Sequence, residues 1–341
     1  MSISMREIAK LAGVSNATVS RVLHGSNLVT EETTRRIQKI IQDLNFVPNN
    51  SAAHLKSGKS QIYGIIVPDL SNPFFTEVVK LFEGLLAENE QELLVANTDS
   101  HSTRMHRSVR RMLLRRVDGV ALLTSEPEAA SLDSLVQNQI PVVTANRQGV
   151  ANGLSDIMID LANGMTQVIA HLKELGHRRV GFIGGRVGLA TSRVRRESFL
   201  EAVVKLGLSS REGWMVEGNS RIDGGSAAMA KILAQPEIPT AVVAANDLTA
   251  IGAMRTAHKR GLRVPDDISI AGCDDIEMSD IVVPALTTLS ISRREFARML
   301  FEALRETGQD LTRPGRQFHL STRLVVRQST GPAPTRSLGP A

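Results

Sequence analysis

The pattern of hydrophobic and polar positions changes character near Lys59. Before that point, apolar residues recur every three or four positions, which is the period of amphipathic α-helices. After it, short apolar runs such as QIYGIIV and TAVVAA alternate with helical segments. Strands that alternate with helices are typical of a parallel sheet covered on both faces. The pattern therefore predicts an α/β protein that begins with a small helical domain.

The first sixty residues contain the signals of three short helices. Residues 5–12 open on a capping-box spacing and end at Gly13, which suits a sharp turn because glycine adopts φ > 0 without steric cost. The next helix lies within residues 15–25, SNATVSRVLHG, where Ser15 is a good N-cap, and a third follows Thr30. This pattern predicts a helix-turn-helix, although an ordinary αα-hairpin within a helical domain gives the same pattern.

Strand and helix signals then repeat in two series of similar rhythm, which predicts two lobes with a cleft between them. Each lobe is expected to be a doubly wound parallel sheet. Residues 287–291 and 318–326 are each predicted to be strand-like, and such late segments commonly cross between lobes. The Pro- and Gly-rich end, GPAPTRSLGPA, is predicted to be disordered.

The excess positive charge lies on the helical head. The chain carries 40 Lys and Arg against 35 Asp and Glu, and residues 1–60 hold eight of the basic and four of the acidic side chains. The head is therefore +4 and the remainder +1. A phosphate-binding surface requires such a concentration, although a solvated basic face has the same composition. Residues 104–116 contain six arginines and leave three interpretations open: a nucleic-acid patch, a solvated helix face or a subunit contact.

Several other classes of protein are disfavoured. No run approaches the ~18–20 apolar residues of a membrane span, and the N-terminus has no apolar signal region. The single cysteine, Cys273, excludes an intrachain disulfide and is compatible with a reducing cytoplasm. The eight histidines form no ligand-spaced cluster, and GGRVG lacks the spacing of a dinucleotide fingerprint. We therefore expect no metal, no cofactor, no membrane partner and no catalytic activity.

Longer segments of the sequence indicate a protein family more specifically than composition or spacing does. The chain contains MREIAKLAGVSNATVSRVLHG, VPNNSAAHLKSGKSQIYGIIVPDLSNPFF, RRVDGVALL, HLKELGHRRVGFIGG, AANDLTAIGAMR, GLRVPDDISIAGCDD and PALTTL. Together these segments resemble the LacI/GalR family of bacterial transcription regulators over essentially the full length.

The resemblance implies a division of the chain. The expected parts are a helix-turn-helix headpiece at 1–48, a hinge helix and linker at 49–60, an effector-binding and dimerisation domain at 61–329, and a disordered tail at 330–341. The body is expected to have the periplasmic sugar-binding fold. Lobe one is expected at about 61–161 with 292–320, and lobe two at about 162–291 with 321–329.

The resemblance also implies which residues read DNA. Asn16, Ala17 and Arg21 occupy the family's base-reading positions, where an arginine can fork to guanine O6 and N7. Leu55 falls at the position of a wedging leucine, whose paired copies in a homodimer open a minor-groove step. A small linker helix packed on the body is the alternative interpretation of Leu55. The full predicted DNA-binding set is Ser15, Asn16, Ala17, Thr18, Ser20, Arg21, Asn49, Ala52, Leu55 and Lys56.

An effector is expected between the lobes. The predicted effector-binding set is Asn72, Phe74, Phe75, Asn146, Arg147, Arg195, Asn246 and Asp274. Such residue types suit a polyol, because aromatic faces cover C–H groups while amides, carboxylates and guanidinium groups pair hydroxyls. Phe74 and Phe75 have a second interpretation as core residues at a helix start, and Asn72 as a turn cap.

Two departures from the family bear on the effector. Asn146 stands where many sugar-binding relatives have aspartate, and Ser220 stands where several have a stacking aromatic residue. Arg147 and Arg195 then face Asp274 alone, which suggests an effector with an anionic group such as a sugar-acid carboxylate.

The predicted function is that of a cytoplasmic, nucleoid-associated homodimer that binds operator DNA and regulates transcription. The expected role is repression of carbohydrate-utilisation genes under control of a sugar or sugar-acid effector. The alternatives are a solute-binding protein of the same body fold without DNA function, and a small-molecule enzyme on a doubly wound fold.

Overall fold

The computed structural model describes residues 3–23, 25–46, 59–123, 129–147 and 149–335. The chain separates into two compact units, Met1–Ser60 and Gln61–Ala341. The predicted fold class is confirmed, because a unit of helices precedes a unit built on two parallel sheets.

The first unit contains three helices around a small core. Its helices are α1 (Met5–Ala12), α2 (Asn16–Leu23) and α3 (Glu31–Asp43). The predicted capping box of α1 is present: the Ser4 hydroxyl accepts from the Glu7 backbone N–H, and the Glu7 carboxylate accepts from the Ser4 N–H at 2.7 Å. Each helix contributes one fully buried side chain to the core, namely Ile8, Val19 and Ile37.

The second unit contains two sheets of six strands. The strands are β1 (Ile62–Val67), β2 (Glu92–Asn97), β3 (Gly119–Leu122), β4 (Val142–Ala145), β5 (Leu154–Ile159), β6 (Val180–Arg186), β7 (Met215–Gly218), β8 (Ala241–Ala244), β9 (Ser269–Asp274), β10 (Thr287–Ile291), β11 (Gln317–Leu320) and β12 (Thr322–Val325). The first sheet has the order β11-β5-β4-β3-β1-β2 and the second the order β12-β10-β9-β8-β6-β7. Neighbouring strands are parallel except β10 and β12, which are antiparallel.

Helices follow most of the strands, as a parallel sheet requires. They are α4 (Pro73–Ala87), α5 (Ser102–Arg115), α6 (Ala129–Gln137), α7 (Leu161–Glu174), α8 (Ala190–Leu206), α9 (Ile222–Leu233), α10 (Asp247–Lys259), α11 (Met278–Ile281) and α12 (Arg293–Thr307), with a 3₁₀ turn at Glu212–Trp214. The chain passes between the sheets after β5, after β10, and between β11 and β12.

One predicted strand is in fact two. Residues 318–326 were expected to form a single strand-like segment, but β11 belongs to the first sheet and β12 to the second. The exposed Ser321 separates them. Buried and exposed positions still alternate through the junction, so the apolar pattern gave no sign that the chain changes sheet.

The start of the predicted disordered tail is ordered. Thr330 and Gly331 are buried, and the Gly331 carbonyl accepts a hydrogen bond from the His177 ring at 3.1 Å. The Ala333 N–H donates to the Leu175 carbonyl at 2.8 Å. A Pro- and Gly-rich composition therefore did not prevent docking against lobe two. Residues 336–341 lie outside the described residues.

Candidate functional site

The second helix of the headpiece presents a polar face. Val19 and Val22 are buried, whereas Asn16, Ala17 and Arg21 are exposed on the same helix. No ion pair within the described residues engages the Arg21 guanidinium. The face therefore offers an amide, a methyl group and a cationic fork to a binding partner.

The start of α2 is fixed by its own side chains. The Ser15 hydroxyl accepts from the Thr18 N–H at 3.2 Å, and the two hydroxyls lie 2.9 Å apart. Ser15 therefore caps the helix as predicted, while Thr18 and Ser20 are half-buried. The remaining predicted DNA-binding residues, Asn49, Ala52, Leu55 and Lys56, lie outside the described residues.

The cleft of the second unit lies at the carboxyl ends of the strands of both sheets. It has a volume of about 720 Å³. Residues that follow β1, β2 and β4 line it from the first sheet, and residues that follow β7 and β8 line it from the second. Ligands of open α/β sheets bind at strand ends, since the loops there carry polar groups. The volume suits a small molecule.

The structure brings most of the predicted effector residues together. Those that line the cleft are Asn72, Phe74, Phe75, Asn146, Arg195, Asn246 and Asp274. Arg147 is not among the described residues that line it: its side chain is exposed, and its backbone N–H donates to Asp156 at 3.1 Å. The reason is local, because Asn146 adopts φ +57° and its side-chain oxygen accepts from the Ile159 N–H at 2.7 Å.

Arg195 and Asp274 form a buried ion pair at the base of the cleft. The guanidinium Nη2 lies 2.8 Å from the Asp274 Oδ1, and the two side chains are 17% and 4% exposed. The Ala245 carbonyl accepts a second hydrogen bond from Arg195. Burial opposes the charge of Arg195, but the surrounding acidic groups, Asp274 above all, together outweigh that effect and raise the pKa of the guanidinium. The positive charge of Arg195 is therefore balanced by the carboxylate of Asp274.

Two asparagines that line the cleft also form hydrogen bonds to backbone groups of its walls. The Asn72 Oδ1 accepts from the Phe74 N–H at 3.0 Å and so caps α4. The Asn246 Oδ1 accepts from the Thr249 N–H at 3.0 Å, and its Nδ2 donates to the Ser220 carbonyl at 3.0 Å. Asn72 is therefore both the N-cap of α4 and a residue that lines the cleft.

Aromatic rings form the apolar part of the wall. Phe74 is buried, meets Phe75 edge to face with ring centroids 5.3 Å apart, and stacks on Phe296 at 6.3 Å. Phe75 is half-buried. Phe74 therefore belongs to the core and to the cleft at once, and Phe296, which the sequence did not single out, completes the aromatic wall.

Backbone strain concentrates at the cleft. Five non-glycine residues that line it have positive φ, namely Asp99, Ser100, Asn146, Ser220 and Asp274. Such conformations cost about 1–3 kcal/mol each and persist where the surrounding structure imposes them, often at ligand sites. Neither hydrophobic periodicity nor residue spacing in the sequence predicts these positive φ angles.

The charge of the cleft contradicts the expected excess of arginine. The charged residues that line it within the described chain are Asp69, Asp99, Asp223 and Asp274 against Arg186, Arg195 and Arg221. The hypothesis of an anionic effector assumed that Arg147 and Arg195 face one carboxylate. That assumption was wrong, because Arg147 lies elsewhere and three further carboxylates line the cleft: Asp69 after β1, Asp99 after β2 and Asp223 in the first turn of α9.

Two polar contacts cross the mouth of the cleft. Arg221 of lobe two donates to the Asp69 Oδ2 of lobe one from Nη2 at 2.8 Å and from Nε at 3.1 Å. Arg186 donates to the Asp99 carbonyl at 2.9 Å. Burial opposes ionisation of Asp69, but hydrogen bonds from Ser71 and from Arg221 outweigh it and lower the pKa of this carboxyl. The cross-cleft ion pair is therefore charged at neutral pH.

A buried carboxylate lies directly behind the effector residues. Asp247 is 1% exposed and accepts hydrogen bonds from the Ile276 N–H at 2.9 Å, the Ser279 hydroxyl at 2.7 Å and the Thr288 hydroxyl at 2.5 Å. Burial, with repulsion from Asp274, raises the pKa of Asp247 to about 6. Asp247 therefore ties the start of α10 to the segment after β9 and to β10.

None of the helices in the described part of the chain combines the length and hydrophobicity that a bilayer crossing requires. Within the same residues, His, Cys, Asp and Glu form no group of three that could hold a metal ion.

Comparison with known proteins bears on both units. Residues 4–49 match the family model for bacterial regulatory proteins of the lacI family, and residues 169–330 match that for a periplasmic binding protein-like domain. The HTH-type transcriptional repressor PurR of Pasteurella multocida (strain Pm70) is 32% identical over 332 residues, which cover 96% of this chain and 98% of that protein.

Two further proteins are similar over most of their length. The ribose operon repressor of Escherichia coli (strain K12) is 31% identical over 304 residues, which cover 88% of this chain and 92% of that protein. The solved complex of the transcriptional regulator CelR with cellobiose has a TM-score of 0.70 and 28% identity, and the match covers 96% of this chain and 99% of that one. The chain belongs to the lacI family of bacterial regulatory proteins and is a DNA-binding regulator of transcription.

Proposed function

We propose that this protein is a cytoplasmic, nucleoid-associated homodimeric repressor of carbohydrate-utilisation genes, and that a neutral sugar bound in the cleft controls it. The α2 residues Asn16, Ala17 and Arg21 read base edges in the major groove. The roles implied for Asn49, Ala52, Leu55 and Lys56, which lie outside the described residues, and the domain boundaries given above belong to the same proposal.

The observation that carries the effector class is the chemistry of the cleft wall. Amides and charged groups from both lobes converge on about 720 Å³ beside the half-buried ring of Phe75. Hydroxyl groups require such paired donors and acceptors, and sugar C–H groups pack on an aromatic face. The names of two relatives, a ribose operon repressor and a regulator in complex with cellobiose, support the same class.

A neutral effector fits better than an anionic one. Arg195 is paired with Asp274 and Arg221 with Asp69, so neither guanidinium has a full charge to offer a carboxylate. The same pairs, together with Arg104–Asp99, also hold three of the four cleft aspartates, so the lining within the described residues offers a sugar acid no excess of unpaired positive charge. A carboxylate that loses water without gaining an ion pair is unfavourable, so aldonates and uronates bind more weakly than the parent sugar.

We also propose that the protein does no chemistry on its effector. Three of the four cleft carboxylates are held in ion pairs with arginine, and general acid–base catalysis needs a carboxyl or imidazole free to exchange a proton with the ligand. Recovery of the bound sugar unchanged after prolonged incubation is the expected result, and turnover of any sugar contradicts this part of the proposal.

A thermal-shift panel tests the effector class. Pentoses, hexoses, disaccharides and their aldonates and uronates are added separately, and a ligand that binds the folded state raises the melting temperature. A neutral sugar is expected to give the largest shift. A panel in which sugar acids stabilise the protein and neutral sugars do not overturns the proposal. Selection of duplexes from random sequence, with and without the sugar found, then identifies the operator.

A designed pair of variants separates binding from folding. Asn72→Ser keeps an N-cap acceptor for α4 but removes the amide donor from the cleft, so the effector affinity falls about tenfold while the melting temperature of the free protein stays nearly constant. Asn138→Ser, at the exposed end of α6, is the matched control and leaves effector affinity unchanged. Equal effector affinity of both variants removes Asn72 from the site.

A further inference from the structure

The helix α5 carries a dense positive face that the effector cleft does not use. Its sequence and the residue after it, STRMHRSVRRMLLRR, contain six arginines and no acidic residue. Met105, Val109 and Met112 are buried and attach the helix to the first sheet. Every arginine on it is exposed. We call Arg107, Arg110, Arg111, Arg115 and Arg116 the arginine face.

The charges of the arginine face are not neutralised within the described residues. Arg104 pairs with Asp99, but no carboxylate of the described chain forms an ion pair with a member of the arginine face. Arg107 donates to the Thr103 carbonyl, which leaves its charge uncompensated. Several like charges in one exposed face repel one another, so their concentration lowers stability unless an anionic partner offsets it.

The basic end of α5, formed by Arg115 and Arg116, lies close in sequence to a residue that contacts the first strand of the body. The helix begins after His101, which lines the cleft, so Arg115 and Arg116 lie at the end of α5 that is far from the cleft. Two residues further, the Asp118 carboxylate accepts from the Gln61 N–H at 2.8 Å, and the Asp118 N–H donates to the Ile62 carbonyl at 2.7 Å. The basic end of α5 therefore lies where the chain enters the body from the headpiece.

Chain length keeps bound DNA within reach of this end. Phe46 is the last described residue before the linker, and the fifteen residues from there to Gln61 span at most about 50 Å. A duplex held by the headpiece is thus at a high effective concentration near residue 61. Guanidinium groups pair with phosphate through planar, bidentate hydrogen bonds, and arginine suits that contact better than lysine.

We propose that the arginine face is a second DNA-binding surface, which contacts the phosphate backbone of the duplex without reading its sequence. The contact adds affinity for operator and random DNA alike and steepens the dependence of binding on salt. Because α5 also reaches the effector cleft at His101, this surface belongs to the lobe whose orientation the effector sets. The inference depends on DNA binding by the headpiece.

Charge-neutral variants test this surface in the full chain. Arg110, Arg111, Arg115 and Arg116 are replaced by glutamine, which keeps helix propensity and side-chain length. Binding to a duplex of random sequence and to the selected operator is measured against salt concentration. Each arginine that contacts a phosphate contributes about 0.9 to the slope of log K against log salt, so loss of two to four contacts lowers the slope by about 2–4.

A matched control removes the same charge elsewhere. Lys173, Lys205, Lys231 and Lys259 are exposed on helices of lobe two, and their replacement by glutamine lowers the net charge equally. The inference requires a lower slope in the arginine variant than in this control, on both duplexes. Equal slopes overturn it.

One rival occupant gives a distinct result that also overturns the inference. Leu114 is 74% exposed among the arginines, so a second copy of the chain is the rival occupant. A change in sedimentation of the DNA-free protein, with an unchanged salt slope, assigns the face to a subunit contact. Failure of the unaltered protein to bind any duplex is a different outcome, because it removes headpiece function together with the inference.

Discussion

At the scale of single residues, one side chain in the cleft often performs two tasks. Asn246 caps α10 through its oxygen and holds the Ser220 carbonyl through its nitrogen, and the same residue lines the cleft. Arg195 is held by Asp274 and by the Ala245 carbonyl. Groups fixed in this way lose little conformational entropy when a ligand binds.

Arg21 offers a test of base reading. It is exposed on α2, and a bidentate contact to guanine is worth about 1–3 kcal/mol of discrimination. Arg21→Ala is therefore expected to weaken binding at one base pair of the operator and to relax the preference there. Binding constants for a set of single-base operator variants measure this effect.

The control for Arg21 is a lysine on the same unit. Lys39 is exposed on α3, and Lys39→Ala, where it touches phosphate, weakens all duplexes evenly. Equal loss on operator and random DNA for Arg21→Ala removes this residue from the base-reading set.

The role of a residue is easier to predict from the sequence where its contacts are with residues close to it along the chain. Ser15 as a cap follows from its place before the helix, and the structure has this cap. Asp69 and Arg221 are 152 positions apart and meet only because two sheets place their loops together. No local pattern encodes such a pair, so the predicted balance of charges in the cleft was wrong although most of the predicted residues line it.

At the scale of elements, the helices α9 and α10 show how glycine controls packing. A Cβ added at Gly252 meets the Ile222 carbonyl oxygen at 2.1 Å, and one added at Gly225 meets the Thr249 oxygen at 2.2 Å. Each helix therefore uses a glycine to admit the backbone of the other. The repeating strand and helix signals predict helices in this lobe but not this reciprocal contact, because the contact depends on the distance between the two helices.

Paired glycine substitutions test the packing argument. Gly252→Ala is expected to destabilise the body by about 1–3 kcal/mol, since backbone atoms must move. Gly84→Ala lies inside α4, where no atom beyond the neighbouring residues and the backbone of its own helix lies within 4 Å of the added Cβ, and it is expected to stabilise by about 0.5–1 kcal/mol through helix propensity. Urea unfolding midpoints of the two variants should move in opposite directions, and a shared direction contradicts the close-approach interpretation.

Asp247 links three elements and gives a pH-dependent prediction. Its folded pKa of about 6 lies above the ordinary value of 3.8, so the folded state holds a proton that the unfolded state has released between these values. Stability contributed by the protonated form is complete below about pH 4 and is lost as pH rises through 6. The loss is roughly 3 kcal/mol by linkage.

The variant Asp247→Asn isolates this effect. An amide keeps an acceptor for the Ile276 N–H and does not ionise, so the stability of the variant relative to the unaltered protein should increase between about pH 4 and pH 7. Urea midpoints of both proteins across that range measure the difference. A difference that does not change with pH shows that Asp247 titrates at its ordinary value.

At the scale of the whole body, the angle between the lobes depends on few connections. The chain crosses between the sheets at three places, and across the mouth of the cleft Arg221 meets Asp69 and Arg186 meets the Asp99 carbonyl. An effector that contacts both lobes adds to these contacts, so it shifts the population of lobe orientations. Effector and operator affinities are then linked by the same coupling free energy.

The cross-cleft ion pair gives a quantitative test of that coupling. Arg221 is 50% exposed, and exposed pairs are worth about 0.2–1 kcal/mol, so Asp69→Asn should weaken effector binding by up to about fivefold. Asp69 also lines the cleft, and a double-mutant cycle distinguishes the two roles. If the pair acts as one unit, Asp69→Asn has no further effect in an Arg221→Gln background.

The surface pair Arg263–Asp267 is the control for this cycle. Its charged atoms lie 2.9 Å apart on lobe two, outside the residues that line the cleft, so Asp267→Asn should leave effector affinity unchanged. Added salt should reduce the effect of Asp69→Asn, because an exposed pair is screened. Persistence of the full effect in the Arg221→Gln background means that Asp69 binds the effector directly. Closure of the lobes then depends on the ligand itself rather than on the pair across the cleft.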